Sequence, residues 1–209
     1  MDGGIVKMVV EGNRYRFPPR FPSLPVIDVG AHIGASATEL KRRGASVVWA
    51  IEPQPENVKV LRCNLGLHDV TGSVFVLDVA VGYTNSAFMT PFPLSGGNVN
   101  TGCARVGEGT VEVRCVTLES IVSMVASAHD SQVILKLDCE GAEFDIIRHA
   151  DPSLFEMVHS VYGEYHEGNG NSAKVLAHYF EGVGFDVRLY DRLGQPGGGG
   201  FGKFVMVRR

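Results

Sequence analysis

The chain has 209 residues, 44% of them apolar and 20% charged, with a formal net charge of -4 at pH 7. That length and composition fit one globular domain with a full core. The acidic balance argues against a nucleic-acid partner. No apolar run nears the roughly 20 residues of a membrane span, and no signal-peptide core opens the chain, so a cytoplasmic setting is expected.

In chain order, Ile5 to Phe17 carry two short apolar runs around Glu11-Gly12-Asn13, the pattern of a hairpin. Pro18, Pro19, Pro22 and Pro25 close this N-terminal extension, residues 1–25. From Val26 the hydrophobic period alternates. It predicts strand 26–29, helix 35–43, strand 46–51, a helix from Pro55 to Gly66 and strand 74–77. The alternation breaks at about 82–116, an insertion in which Ala87-Phe88-Met89 and Val111 to Val116 pair antiparallel around a polar, glycine-rich loop at 95–102. Helix 118–128, strand 132–138, helix 142–149, strand 157–165 and helix 172–182 restore it. Two closing strands, 185–190 and 204–207, are joined through glycines at 194–200, which suits a terminal hairpin with one strand antiparallel to its neighbours. About seven strands with interleaved helices predict an α/β, doubly wound sheet in a single domain, 1–209, with its core at 26–209. Phe17, Phe21, Phe88 and Phe92 suit core or lid packing. Cys63, Cys103, Cys115 and Cys139 have neither zinc spacing nor a CxxC pair and read as reduced thiols.

The stretch Val26-Ile27-Asp28-Val29-Gly30-Ala31-His32-Ile33-Gly34 is a strand that breaks into a turn before a helix. Such a turn brings bare backbone N–H groups and a helix N-terminus to the carboxyl edge of a sheet, where open α/β sheets bind nucleotide-like ligands. The dinucleotide fingerprint Gly-x-Gly-x-x-Gly, centred on Gly30, meets Asp28 at its first position and Ile33 at its last, so it fails at both. An aspartate repels a pyrophosphate but can receive an ammonium group. S-adenosylmethionine has an ammonium group, a ribose and no phosphate, and is favoured over NAD. Glu52, ending the next strand before Pro53, is spaced to accept hydrogen bonds from a ribose. Asp78, followed by Val79, can accept from an adenine amino group or serve as a solvated cap. The expected cofactor-binding set is Asp28, Gly30, His32, Gly34, Glu52, Pro53, Asp78 and Val79.

Farther along stands Leu135-Lys136-Leu137-Asp138-Cys139-Glu140-Gly141-Ala142-Glu143. Strand alternation puts Lys136, Asp138 and Glu140 on one side, which is costly unless the charges are paired or used. Asp138 suits a pocket carboxylate, as base, orienting group or metal ligand; an ion pair with Lys136 or a helix cap is the alternative. Glu164 and His166 share a face of the next strand, and an imidazole with a reference pKa near 6.5 suits a general base. Asp138, His166 and Glu164 are the expected catalytic residues. Together they can hold Mg²⁺ or another divalent ion, although their spacing demands none.

These segments, with Ala50-Ile51-Glu52-Pro53, Val116-Thr117-Leu118-Glu119-Ser120 and Glu164-Tyr165-His166, resemble the FkbM family of S-adenosylmethionine-dependent methyltransferases. The Asp-x-Glu-Gly-Ala-Glu element is fairly specific to that family, whereas the glycine turn is shared by most class I methyltransferases. The resemblance covers about residues 26–166. It implies the class I Rossmann-like fold and methylation of a hydroxyl on a sugar, polyketide or related small metabolite, with S-adenosylhomocysteine as product. The acceptor is then a small hydroxylated molecule, with no nucleic acid or membrane as partner; an oligomer is compatible. An NAD-dependent oxidoreductase is disfavoured by Asp28, and a non-catalytic nucleoside-binding module by the retained Asp138, Glu164 and His166.

Overall fold

The protein is described here from a computed structural model, covering residues 12–83, 86–91, 104–106, 111–139, 141–168, 171–191, 195–196 and 200–209, with backbone alone for 86–91, 104–106, 111 and 112. The first strand, β1 (Val26–Val29), is buried throughout and enters a glycine turn before helix α1 (Ala35–Arg42). Next come β2 (Val48–Ile51), α2 (Pro55–Leu67) and β3 (Val74–Leu77). Proline stands at the start of α2, where its missing N–H costs nothing.

The region between is built from β4 (Ala80–Gly82), β5 (Ser86–Pro91), β6 (Ala104–Val106) and β7 (Val111–Thr117). Strand β5 pairs antiparallel with β7, as the two apolar runs there predict. The loop 95–102 lies outside the described residues. Thr117 then caps α3 (Leu118–His129), its hydroxyl oxygen accepting from the Ser120 N–H at 3.2 Å. The second half follows as β8 (Val133–Leu137), α4 (Glu143–His149), β9 (Val158–His166), α5 (Ala173–Gly182), β10 (Phe185–Asp191) and β11 (Phe201–Arg208).

Seven strands form the main sheet in the order β10-β11-β9-β8-β1-β2-β3. Pairings among β3, β2, β1, β8 and β9 are parallel, while β11 runs antiparallel to both β9 and β10. The smaller sheet has the order β4-β7-β5-β6. This is the doubly wound sheet that the alternating period implies, in the class I methyltransferase form that the family resemblance implies. Its order reverses between β1 and β8, and the carboxyl edge beside such a switch point is where open α/β sheets bind ligands.

Period-2 alternation sorts the sheet into two apolar layers. Ile27, Val29, Leu135, Leu137 and Val161 face one core with α3 and α5; Val26, Ile134 and Tyr162 face the other with α1 and α2. The second layer is completed by Tyr15, Phe17 and Phe21, all buried. Phe17 and Phe21 meet the Tyr162 ring edge-on at 5.6 and 5.5 Å. The expected hairpin is corrected over residues 12–17, which form a turn with no strand; the rest of it lies outside the described residues. Asn13 closes that turn, accepting from the Phe17 N–H at 2.8 Å and donating to the Phe17 carbonyl at 2.9 Å. Asparagine suits the left-handed φ of 43° found there.

Candidate active site

The turn after β1 is shaped by residues that tolerate positive φ: Gly30 at 77°, His32 at 50° and Gly34 at 88°. A side chain at Gly30 would overlap the main-chain carbonyl of Asp138, so β1 can approach β8 closely only with glycine there. Four of the turn's N–H groups, expected to be bare, are engaged. The Gly30 and Ala31 N–H groups both donate to the Ile51 carbonyl at 3.0 Å, and the Gly34 N–H donates to Ala31 at 2.8 Å. The His32 N–H donates to Glu52 Oε2 at 2.9 Å.

Glu52, at the end of β2, is 5% exposed. Its Oε1 accepts from the Gln54 N–H at 3.0 Å and from Asn57 at 3.2 Å. Burial raises the Glu52 carboxyl above its ordinary value, outweighing these donors, the His32 N–H and the charge of Lys136. Pro53 is half-buried beside it, Asp78 is exposed just past β3, and Val79 is buried in the core. All lie at the carboxyl edges of β2 and β3, which the parallel register brings level.

Asp28 is fully buried. Its Oδ1 pairs with Lys136 Nζ at 2.9 Å, and its Oδ2 accepts from the Ser36 hydroxyl at 2.6 Å. Lys136 also donates to the carbonyls of Gly30 at 2.7 Å and Val29 at 3.2 Å. Burial opposes the charge on Lys136, but Asp28 and Asp138 outweigh it and raise its pKa, so the ammonium persists. The ion pair weighed for Asp138 and Lys136 is therefore formed by Asp28, the direct register partner of Lys136 on β1. Asp28 braces the turn from beneath.

Asp138 follows β8 on the same side as Lys136. Its Oδ2 accepts from the Tyr15 hydroxyl at 2.7 Å, while Oδ1 is buried with no hydrogen-bond donor among the described residues. Burial acts to raise the Asp138 carboxyl, but Lys136, Arg14, the Tyr15 hydroxyl and His166 together hold it below its ordinary value. Burial, followed by the Asp138 charge, pushes the Tyr15 phenol well up, so Tyr15 stays a donor.

Glu164 is fully buried on β9 and gripped by both arms of the Arg14 guanidinium, at 2.5 Å from Nε and 2.7 Å from Nη2. Burial and the nearby Asp138 raise its pKa against the pull of Arg14. That grip takes Glu164 out of the expected acidic group. A third carboxylate, Glu143 at the start of α4, takes its place: Glu143 Oε1 lies 3.3 Å from His166 Nδ1. Asp138, Glu143 and His166 each bring a ligand-type atom within 4.8 Å of the others. The Glu143 oxygens also accept from the N–H groups of Cys139 at 2.5 Å and Gly141 at 2.9 Å, which fixes the turn after β8. Glu140 lies outside the described residues.

Sequence reasoning missed Arg14, Tyr15 and Glu143 as site residues. Glu143 carries a legible signal, the last position of the Asp-x-Glu-Gly-Ala-Glu element. Arg14 and Tyr15 carry none, because their partners lie 150 and 123 residues away.

Comparison with known proteins accords with this geometry. The family model "Methyltransferase FkbM domain" matches residues 28–187. "Methyltransferase 1" of Beauveria bassiana is 26% identical over 188 residues, covering 78% of this chain and 73% of that protein. "Methyltransferase sdnD" of Sordaria araneosa is 27% identical over 198 residues, covering 79% and 75%. The solved structure of an FkbM methyltransferase from Methylobacillus flagellatus matches 96% of this chain and 47% of its own, with a TM-score of 0.56 at 17% identity. An rRNA methylase from Streptococcus thermophilus matches 99% and 95%, with a TM-score of 0.54 at 9% identity, a likeness of fold alone. With most of its length matched, from the β1 turn through the Asp138–Glu143 element to β10, the chain belongs to the FkbM family of methyltransferases.

Proposed function

We propose that the chain transfers the methyl group of S-adenosylmethionine to a hydroxyl group of a small acceptor such as a sugar or polyketide. One observation carries this reading: the Glu52-braced turn, at the carboxyl ends of β1 and β2, and the Asp138–Glu143–His166 cluster, at those of β8 and β9, stand along one edge of the same sheet, on either side of Gly30. The first suits a nucleoside and the second a proton-bearing oxygen. In the assigned roles, Glu52 takes the ribose hydroxyls with its remaining lone pairs, Asp78 the adenine amino group, and Gly30, His32, Gly34, Pro53 and Val79 shape the surface. Asp28 acts at one remove, through Lys136 and the turn.

Methyl transfer is an in-line displacement at an activated sulfonium carbon, so the protein must align the acceptor and accept its proton. The acceptor oxygen forms the new C–O bond, the C–S electron pair returns to sulfur, and the hydroxyl proton leaves to the Asp138–His166 side. Buried Asp138 Oδ1 supplies the acceptor for the incoming hydroxyl. The reading is tested by incubating the protein with methyl-labelled S-adenosylmethionine and panels of hydroxylated metabolites, read by mass spectrometry. Labelled ether products that disappear in Asp138→Asn support it. Labelled amines, or no binding of S-adenosylhomocysteine, contradict it.

A further inference from the structure

We propose that Asp138, Glu143 and His166 form a binding site for one divalent cation of the Mg²⁺ or Mn²⁺ type, at the carboxyl ends of β8 and β9. The site stands on its own geometry; its use in holding an acceptor hydroxyl rests on the methyl-transfer reading. Three separate elements supply the donors: the residue after β8, the first residue of α4 and the last residue of β9. Their ligand-type atoms all lie within 4.8 Å of one another. Around an octahedral ion with bonds of about 2.2 Å, neighbouring ligands stand roughly 3.1 Å apart and opposite ones about 4.4 Å. The 3.3 Å between His166 Nδ1 and Glu143 Oε1 fits a neighbouring pair.

The donors are also held in place. Backbone N–H groups of Cys139 and Gly141 fix Glu143, one on each oxygen, leaving a second lone pair on each. The Tyr15 hydroxyl fixes Asp138 through Oδ2, and Oδ1 is left buried without a donor among the described residues. A carboxylate oxygen removed from water in that way is costly, and a cation offsets the cost. Arg14 keeps Glu164 paired elsewhere, and the His166 ring packs against Phe201 with centroids 5.0 Å apart. Two carboxylates and one imidazole, with no thiolate, select hard or borderline ions over zinc-type thiolate chemistry.

Three protein ligands among the described residues leave positions for water and for an acceptor oxygen. An ion there lowers the pKa of a bound hydroxyl. With an ion bound, Asp138 and His166 would act as its ligands in place of their direct proton-accepting role, the hydroxyl proton would pass to solvent water, and the oxygen would displace sulfur from the methyl carbon.

The test is titration of the chelator-stripped chain with Mn²⁺, followed by the paramagnetic resonance signal of the free ion. Saturable binding of about one ion per chain in the sub-millimolar range is expected. His166→Ala and Asp138→Asn should each weaken it at least tenfold, and Asp186→Asn on the exposed surface should not, with circular dichroism confirming that each variant is folded. Absence of saturable binding to the unaltered chain overturns the proposal without recourse to any variant; so does binding indifferent to both site substitutions. Calorimetry with S-adenosylhomocysteine on the same preparation separates the two readings. Nucleoside binding without Mn²⁺ binding removes the ion site alone, and the converse leaves the ion site and removes the methyl donor.

Discussion

Glu52 holds three donors at once, from His32, Gln54 and Asn57, and in the proposed reading takes the ribose hydroxyls. Glu52→Ala is therefore expected to weaken S-adenosylhomocysteine at least tenfold by calorimetry, about 1.4 kcal/mol or more. Unchanged affinity would remove Glu52 from the nucleoside site. At Arg14 the expected effect is on stability. Arg14→Met leaves the fully buried Glu164 without its partner, and breaking a buried pair costs about 3–5 kcal/mol. The double variant Arg14→Met/Glu164→Leu should recover much of that loss in urea melts, because no lone charge remains. A double variant no better than Arg14→Met would show that the guanidinium acts by packing.

The elements that carry these residues were legible where local pattern decides. β1 and β8 are buried throughout because both faces are covered, and apart from Asp28 and Lys136 their residues are apolar; α2 opens at Pro55 as its sequence implies. Partners were legible only where register is implied by neighbouring strands. Asp28 and Lys136 both stood out, yet which carboxylate meets the ammonium depends on β1 and β8 pairing Asp28 with Lys136, a tertiary fact. The closeness of the two strand ends at Gly30 is a second one. Gly30→Ala should destabilise the fold well beyond Gly141→Ala, since both have positive φ but only Gly30 faces a backbone carbonyl. A few kcal/mol against about 1–2 is expected in urea unfolding, and equal costs would remove the close approach as the cause. On α1, Glu39 is buried between Arg42 and Arg43, at 2.7 and 2.5 Å. Burial tends to raise its carboxyl, but the two guanidinium groups outweigh it and hold the pKa below the ordinary value. A depressed folded-state pKa stabilises above the unfolded carboxyl value, about 4.3, and that stabilisation is lost as pH falls through the folded value. Glu39→Gln should then cost about 2 kcal/mol at pH 7, with the gap to the unaltered chain narrowing as pH drops below about 4. A gap independent of pH would contradict the assignment.

At the scale of the molecule, one sheet face is covered partly by helices and partly by an irregular segment. Residues 12–25 contain neither helix nor strand, yet bury Tyr15, Phe17 and Phe21 and bring Arg14 to β9. Phe17 and Phe21 suggested packing, while the role of this segment above the carboxylates was invisible, because nothing in a local pattern names a partner on the far strands. Phe17→Ala should cost about 3–5 kcal/mol and speed amide exchange in this segment ahead of the sheet. Exchange that accelerates uniformly would show that the segment unfolds only with the rest. Among the described residues, no helix is long and apolar enough to cross a membrane.

The buried knot of Asp28, Lys136 and the Gly30 carbonyl constrains how such a chain can diverge. Replacing either charged residue alone strands the other inside the protein at about 3–5 kcal/mol, a large share of the roughly 5–15 kcal/mol that keeps a domain folded. Descendant genes are thus expected to keep both residues or to exchange both for apolar ones, and a single-site intermediate should be rare among them.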